Sequence, residues 1–388
     1  MIDICPKEKC TACYACVNTC KHDAIKMVED ECGYLYPYIE AAKCVDCGAC
    51  QKTCPAINET KLNYPNKCYA ASIASDDVMN SSSGGAAYII SKYLIEQEGV
   101  VYGCSGADIL NVKHVRVDTI DQLEQLRGSK YVQSQIGNSY EQCKTDLKAG
   151  RLTLFIGTPC QIAGLKSYLK VDYDNLYTCD LVCHGVPSQK MLNSEINYYI
   201  KGDQISSNSQ LLFRQKIIGP KFNSFRIEYG LFLQNNPYSS FSIAYPKESY
   251  LFAFINCLIF RESCYQCKYA TAARVADITL SDFWCLGADA NLPEGRGVSC
   301  CLVNTSKGAK LFSEVKYDMR VVERKPIEAI RGNGQLQRPS VKSTNYYKFL
   351  KMFSETGDMK KSIDTCYKKE YINIVYVEKI KALLRKIL

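Results

Sequence analysis

The chain has 388 residues, 47% of them apolar, enough to bury the cores of two domains and too apolar for a disordered chain. Its net charge of +8 comes from Lys and Arg that alternate with Asp and Glu along most of the sequence, a weak argument for a polyanionic partner, and no nucleic acid is expected. No apolar run reaches the ~18 residues of a membrane span and no basic-then-apolar leader opens the chain, so the expected compartment is the cytoplasm.

The outlying number is 23 cysteines. An odd count, in a long chain without a secretion leader, does not fit a disulfide scaffold. The first run, CTACYACVNTC, is CxxCxxCxxxC at Cys10, Cys13, Cys16 and Cys20. The second, CVDCGACQKTCP, repeats it at Cys44, Cys47, Cys50 and Cys54. Two-residue gaps let three thiolates converge on one cubane, and the fourth lies too far along to close the same corner, so it ligates the other cluster. The expected sets are Cys10, Cys13, Cys16 and Cys54, and Cys44, Cys47, Cys50 and Cys20. They define two neighbouring 4Fe-4S centres in a bacterial ferredoxin-type module over residues 1–60. Residues 24–40 alternate as a hairpin between the runs. Cys5 and Cys32 fall outside the pattern. Lys21 stands where many such runs carry proline; it keeps a backbone N–H beside a cluster sulfur and adds a positive charge, which favours the reduced cluster.

Beyond a polar linker at 56–67 the texture changes. CYAASIAS, VVYGC, HVRVD, RLTLFIG and LYTCDLVC read as strands. Residues 84–97 and QIAGLKSYL read as helices, and YLFAFINCLIF as a buried element. The fold class is α/β (α+β): a ferredoxin-like module, then a larger domain over 68–345 with a mixed or mostly parallel sheet. NSSSGG, at 80–85, opens a helix and serves either as an ordinary serine cap or as a seat for a phosphate or a flavin's polar edge. GTPCQIAGL puts Cys160 just past a strand at a helix N-terminus, where the partial positive charge favours a thiolate. DLVCHG puts Cys183 at the end of the next strand, and SCYQC supplies Cys264 and Cys267. Strand ends in such a sheet face one crevice, where these four thiolates would meet around a third cluster.

Only three histidines occur. His184 follows a proposed ligand and is the candidate proton donor to a substrate, or hydrogen-bond donor to a cluster sulfur, against an equally simple structural role. Asp282 is the candidate acid/base or orienting carboxylate, and Trp284 is expected to pack. The CxxxCxxC spacing of radical S-adenosylmethionine chemistry is absent. Residues 346–388 form a helical tail with Ile372, Tyr376, Ile380, Leu383, Leu384 and Ile387 on one face and Lys and Arg opposite, to dock on its own domain or on a partner or membrane surface.

SSSGG, GSKYVQS, GTPCQIAGLK, DLVCHGVPS, SCYQCKYA and DITLSDFW occur in that order. The ordered set resembles the coenzyme F420 hydrogenase/dehydrogenase beta-subunit family of iron–sulfur flavoproteins, over roughly residues 7–340. The resemblance implies FAD rather than FMN, with Ser82, Ser83, Gly84, Gly85, Lys130, Gln133, Ser134, Thr158 and Pro159 beside it, and the third cluster on Cys160, Cys183, Cys264 and Cys267. It implies a small organic redox substrate, the deazaflavin coenzyme or another acceptor such as a sugar-linked one, and a redox partner such as ferredoxin or another oxidoreductase subunit. The alternative is an electron-transfer subunit whose substrate site belongs to its partner. Members often read GDFWG where this chain has SDFWC, with Ser281 and Cys285 replacing glycines. Cys179, Cys257, Cys285, Cys300 and Cys301 are rival ligands.

Overall fold

The computed structural model describes residues 3–200, 204–206, 209–218, 225–234, 240–292 and 297–387. The N-terminal module is a hairpin, β1 (Ile25–Glu29) against β2 (Leu35–Ile39), flanked by two short helices, α1 (Ala15–Thr19) and α2 (Ala49–Thr53). Its antiparallel register pairs Ile25 with Ile39 and closes at Glu29 opposite Leu35, as the alternation predicts.

An eight-stranded mixed sheet forms the centre of the larger domain. Its strands are β3 (Lys67–Ile73), β4 (Val100–Ser105), β5 (Lys113–Val117), β6 (Thr153–Gly157), β7 (Leu176–Leu181), β11 (Ile278–Asp282), β12 (Ser299–Val303) and β13 (Met319–Arg324). The order is β13-β3-β12-β11-β7-β6-β4-β5. The four middle strands, β11, β7, β6 and β4, run parallel; the flanks are antiparallel. Parallel strands are buried on both faces, which is why β4 and β6 read as unbroken apolar runs. Alternate residues supply the two layers. Val101 and Leu154 face the helices α3 (Ala86–Glu96) and α9 (Ser306–Val315), through Ile90, Leu94 and Phe312. Val100, Tyr102 and Phe155 face α5 (Ser139–Lys148) and α6 (Pro159–Leu169), through Tyr140, Ile162 and Leu165.

A second layer packs α7 (Gln189–Tyr199), α8 (Ser249–Ile255), α11 (Tyr346–Thr356) and α12 (Met359–Cys366) against a three-stranded antiparallel sheet, β8 (Gln210–Ile218), β9 (Phe225–Gln234) and β10 (Phe241–Ala244). The run YLFAFINCLIF is buried there, as expected. So are Cys32 and Tyr34 of the hairpin: the Tyr34 hydroxyl donates to Ile259 O at 2.9 Å, and Ser188 Oγ donates to Cys32 O at 2.6 Å. The N-terminal module therefore shares a core with the larger domain. The helical stretch from 346 onward divides in two. Phe349, Phe353, Ile363 and Tyr367 are core residues. Only α13 (Lys368–Ile387) projects, resting on the core through Tyr371 and Ile374 and leaving Ile372, Tyr376, Val377 and Ile380 exposed. Among the described residues no helix is long and apolar enough to cross a membrane.

Candidate functional site

The two cysteine runs fold alike. Ala12 and Tyr14 in the first, and Asp46 and Gly48 in the second, have positive φ between 48° and 68°. These left-handed residues coil each run tightly and aim backbone N–H groups at sulfur. The amides of Ala12, Ala15 and Val17 favour thiolates on Cys10, Cys13 and Cys16, and that of Gln51 does so on Cys50. Cys10, Cys13, Cys16 and Cys54 line one cavity with an apolar shell of Ile4, Met27 and Pro37. Cys5, expected to lie outside the pattern, lines it too. A hydrogen bond from the Cys5 thiol lowers Cys10 and Cys54, whereas burial pushes Cys13 up to about 12. In the other set, burial raises the Cys50 thiol, and the charges of Cys47 and Cys20 act on it in the same direction. Cys47 is exposed, so this set lies at the surface and the first faces inward.

A second thiol-lined cavity lies beyond the ends of the parallel strands. Cys160 sits in the first turn of α6, where Pro159 starts the helix and Thr158 and Gln161 form a capping box; Thr158 N donates to Gln161 Oε1 at 2.9 Å. Cys183 follows the end of β7, and Cys264 and Cys267 belong to the tight turn 262–267. All four line the cavity, with Thr158, Pro159, His184, Arg261 and Ser340. Burial pushes Cys160 up to about 11 and Cys183 to about 12; the charge of Cys267 raises both, and those of Cys183, Cys267 and Cys160 raise Cys264. Four mutually repelling buried thiols become thiolates only against a compensating positive core, which is what an iron–sulfur cube supplies. Among the described residues, no three His, Cys, Asp or Glu side chains close to the spacing of a single ion. In donor chemistry the four thiols of each inner cavity suit a cluster. None of the rival cysteines lines either cavity: Cys179, Cys300 and Cys301 are core residues of β7 and β12, Cys257 packs beside α8, and Cys285 is exposed at φ 58°, a left-handed position that suits the family's glycine.

The two cavities adjoin. Thr11 lines both, and Gln133 Nε2 donates to Thr11 O at 3.0 Å. The charges of Cys13 and Cys160 bear on each other.

The residues expected around a flavin fall into two groups, Ser82 with Ser129 and Ser134 with Gln161 and Thr158, each hydrogen-bonded within the chain. Ser82 Oγ accepts from Ser129 N at 2.7 Å, and Ser83 Oγ donates to Val298 O at 3.0 Å. Gly84 is required by packing: a Cβ there would lie 2.1 Å from Ala71 O and 2.5 Å from Ser299 N. Gly85, at φ +84°, caps α3. Lys130 is engaged within the chain. Its ammonium donates to the carbonyls of Gln125, Leu126 and Arg127, and burial lowers it to about 8. Ser134 Oγ is hydrogen-bonded to His114 Nδ1 at 2.8 Å, in a buried network with Gln161. Burial lowers that histidine to about 4. Only Thr158 and Pro159 of this set reach a thiol cavity. These hydrogen bonds engage the set within the chain.

Asp282 accepts from Arg214 Nη1 at 2.7 Å, and its charge bears on His184, whose imidazole burial holds below its ordinary value. Arg214, on β8, also donates to the Tyr131 hydroxyl and stacks on Tyr229. Neither Arg214 nor Lys216, which donates to Ser83 O at 2.6 Å, carries a local motif. Trp284 is 44% exposed rather than packed, and Gly332 lies close against its backbone carbonyl.

Residues 150–329 match the model of the coenzyme F420 hydrogenase/dehydrogenase beta subunit, C terminus, and residues 9–57 that of the 4Fe-4S dicluster domain. No curated protein matches the chain. A solved chain of the F420-reducing NiFe hydrogenase complex from Methanosarcina barkeri, from a xenon derivatization, is similar at 18% identity, with a TM-score of 0.44 over 71% of this chain and 92% of that one.

Proposed function

We propose, for a chain that joins a two-cluster ferredoxin domain to a domain of the coenzyme F420 hydrogenase/dehydrogenase beta-subunit family, that it is an iron–sulfur oxidoreductase carrying electrons inward through three centres. The observation that carries this reading is the meeting of Cys160, Cys183, Cys264 and Cys267, from three separate segments, in one cavity that shares Thr11 with the inner ferredoxin cavity. Exposed Cys47 marks the outer end of the path. The inner ferredoxin set follows, and the four thiols beside His184 mark the end nearest a substrate. Iron–sulfur clusters, when bound, pass one electron at a time. The chain's own residues hold the three sets in series, exclude water from the inner two with Ile4, Met27, Pro159 and Tyr269, and offer His184 as a hydrogen-bond or proton donor at the last.

Reducing a small organic substrate, whether a deazaflavin or a sugar-linked acceptor, takes electrons in pairs, and FAD is the cofactor that makes the conversion when bound. The polar groups expected to seat it are engaged within the chain. That observation favours a second reading, in which the chain delivers electrons to a partner subunit that holds the substrate site.

Iron, sulfide and flavin counts on anaerobically purified protein test both. About twelve irons per chain, falling to about eight in Cys160→Ala, support the third centre. About eight irons in both would remove it. About one FAD together with turnover by the isolated chain supports the enzyme reading; the absence of both supports the delivery reading.

A further inference from the structure

Two arginines are among the largest fully buried side chains, and they are balanced differently. Arg274 pairs with buried Asp180 at 3.1 Å. Arg261 is 1% exposed, and among the described residues no carboxylate pairs with it. Its Nε donates to Cys10 O at 2.6 Å, one Nη to Leu35 O and the other to Gln133 Oε1 at 3.3 Å. Its guanidinium lies 4.2 Å from the centre of the Tyr36 ring. Carbonyl dipoles and a ring face solvate a cation but do not neutralise it, and an unpaired buried charge is costly.

The backbone of the same residue belongs to the other cavity. Arg261 N donates to Val186 O, Cys264 N donates to Arg261 O, and Arg261 lines the cavity of Cys160, Cys183, Cys264 and Cys267. Arg261 thus lies between two sets of thiols, its guanidinium at the inner ferredoxin set and its backbone at the other. Four thiolates on a cubane leave a net negative cluster, and it becomes more negative on reduction.

We infer that Arg261 is the shared counter-charge of the inner ferredoxin cluster and of the third centre, holding both reduction equilibria towards the reduced side and easing the repulsion between them. The half that concerns the third centre rests on the function proposed above; the half that concerns the inner ferredoxin cluster does not. Arg261 is a positioning and poising residue: its side chain bonds the Cys10 carbonyl, and its charge favours the Cys10 thiolate.

The test is a redox titration of the anaerobic full-length protein followed by electron paramagnetic resonance, with iron counted in each variant. Arg261→Gln removes the charge and keeps hydrogen-bond capacity; Arg261→Lys keeps the charge. The expected result is at least a tenfold fall in the reduction equilibrium of the inner ferredoxin cluster in Arg261→Gln, about 59 mV for one electron, with Arg261→Lys within about threefold of the parent. A parallel shift in a third signal supports both halves. A shift in the ferredoxin signal beside an unmoved third signal overturns the shared role and leaves the third centre standing. A shift with no third signal in any variant, at about eight irons, overturns the third-centre reading and keeps the ferredoxin half. Unshifted ferredoxin potentials at full iron, or equal shifts in Gln and Lys, overturn the inference. If Arg261→Gln loses iron, recovery in Arg261→Lys supports it and loss in both overturns it.

Discussion

Gly164 lies directly against Cys13. A Cβ built on the glycine would sit 3.1 Å from the cysteine sulfur, 3.0 Å from its Cβ and 2.9 Å from the Tyr140 hydroxyl. Gly164 is on α6, whose first turn carries Cys160, and Cys13 is a ligand of the inner ferredoxin cluster in the expected set. The missing side chain therefore sets how closely the two cysteine-bearing segments approach. Gly164→Ala should cost about 1–3 kcal/mol, since neither backbone can retreat without moving a packed core. It should also slow electron passage from the ferredoxin domain to the third centre, read by rapid-freeze resonance after reduction from outside. Unchanged stability together with unchanged transfer would refute the contact.

Arg274 and Asp180 form the buried ion pair beneath the third set of thiols. Arg274 also donates to Leu181 O at 3.0 Å, and Asp180 accepts from Thr279 Oγ1 at 2.5 Å. Removing one partner strands the other charge away from water. Arg274→Met should destabilise the protein by about 3–5 kcal/mol, whereas Arg274→Met with Asp180→Leu should recover most of that. Urea melts of the three proteins decide it; a single-variant cost below about 1 kcal/mol would show that solvent reaches Asp180.

Lys21 is exposed just past Cys20, in the set that includes exposed Cys47. Lys21→Pro removes a charge and an N–H and should lower the potential of the outer ferredoxin cluster. Water screens an exposed charge, so the shift should be smaller than that of Arg261→Gln at the inner one. Potentiometric titration compares them, and an upward shift would contradict the argument.

The cysteine runs were legible because a cubane imposes fixed local spacing, and the hairpin because its pleat imposes alternation. Cys160 was legible as a thiol at a strand–helix junction, where sheet topology directs it to one crevice. The residues that join the modules were not legible. Arg261 reaches Cys10 across 251 positions and Gly164 meets Cys13 across the fold, and no local pattern encodes such pairs. SSSGG and GSKYVQS are ambiguous for the opposite reason. Hydroxyls, glycines and a lysine in a loop look like ligand groups, yet they saturate one another and the sheet: Gly84 because β3 and β12 close on it, Lys130 because a helix end presents three carbonyls.

Glu195 and Glu248 carry a pH dependence of their own. Glu195 Oε1 accepts from Ser249 N at 2.9 Å and from the Tyr199 hydroxyl, and Glu248 accepts from Leu251 N at 2.7 Å. The remaining oxygens, Glu195 Oε2 and Glu248 Oε1, are buried without partners. Lys360 is the cation facing the pair, with Tyr199 and Tyr371 nearby. Burial pushes Glu195 up to about 7 and drives Glu248 upward as well. A raised carboxyl binds its proton in the folded state while the unfolded chain has already released it. The stabilisation is therefore fully present below the unfolded value, near 4.5, and is lost as pH rises through about 7. Glu195→Gln cannot ionise. Its stability relative to the parent should rise by about 3 kcal/mol between pH 4.5 and 7 and then level off. Parallel denaturant melts across that range measure the difference, and a flat difference would mean that the carboxyl is already ionised in the folded protein.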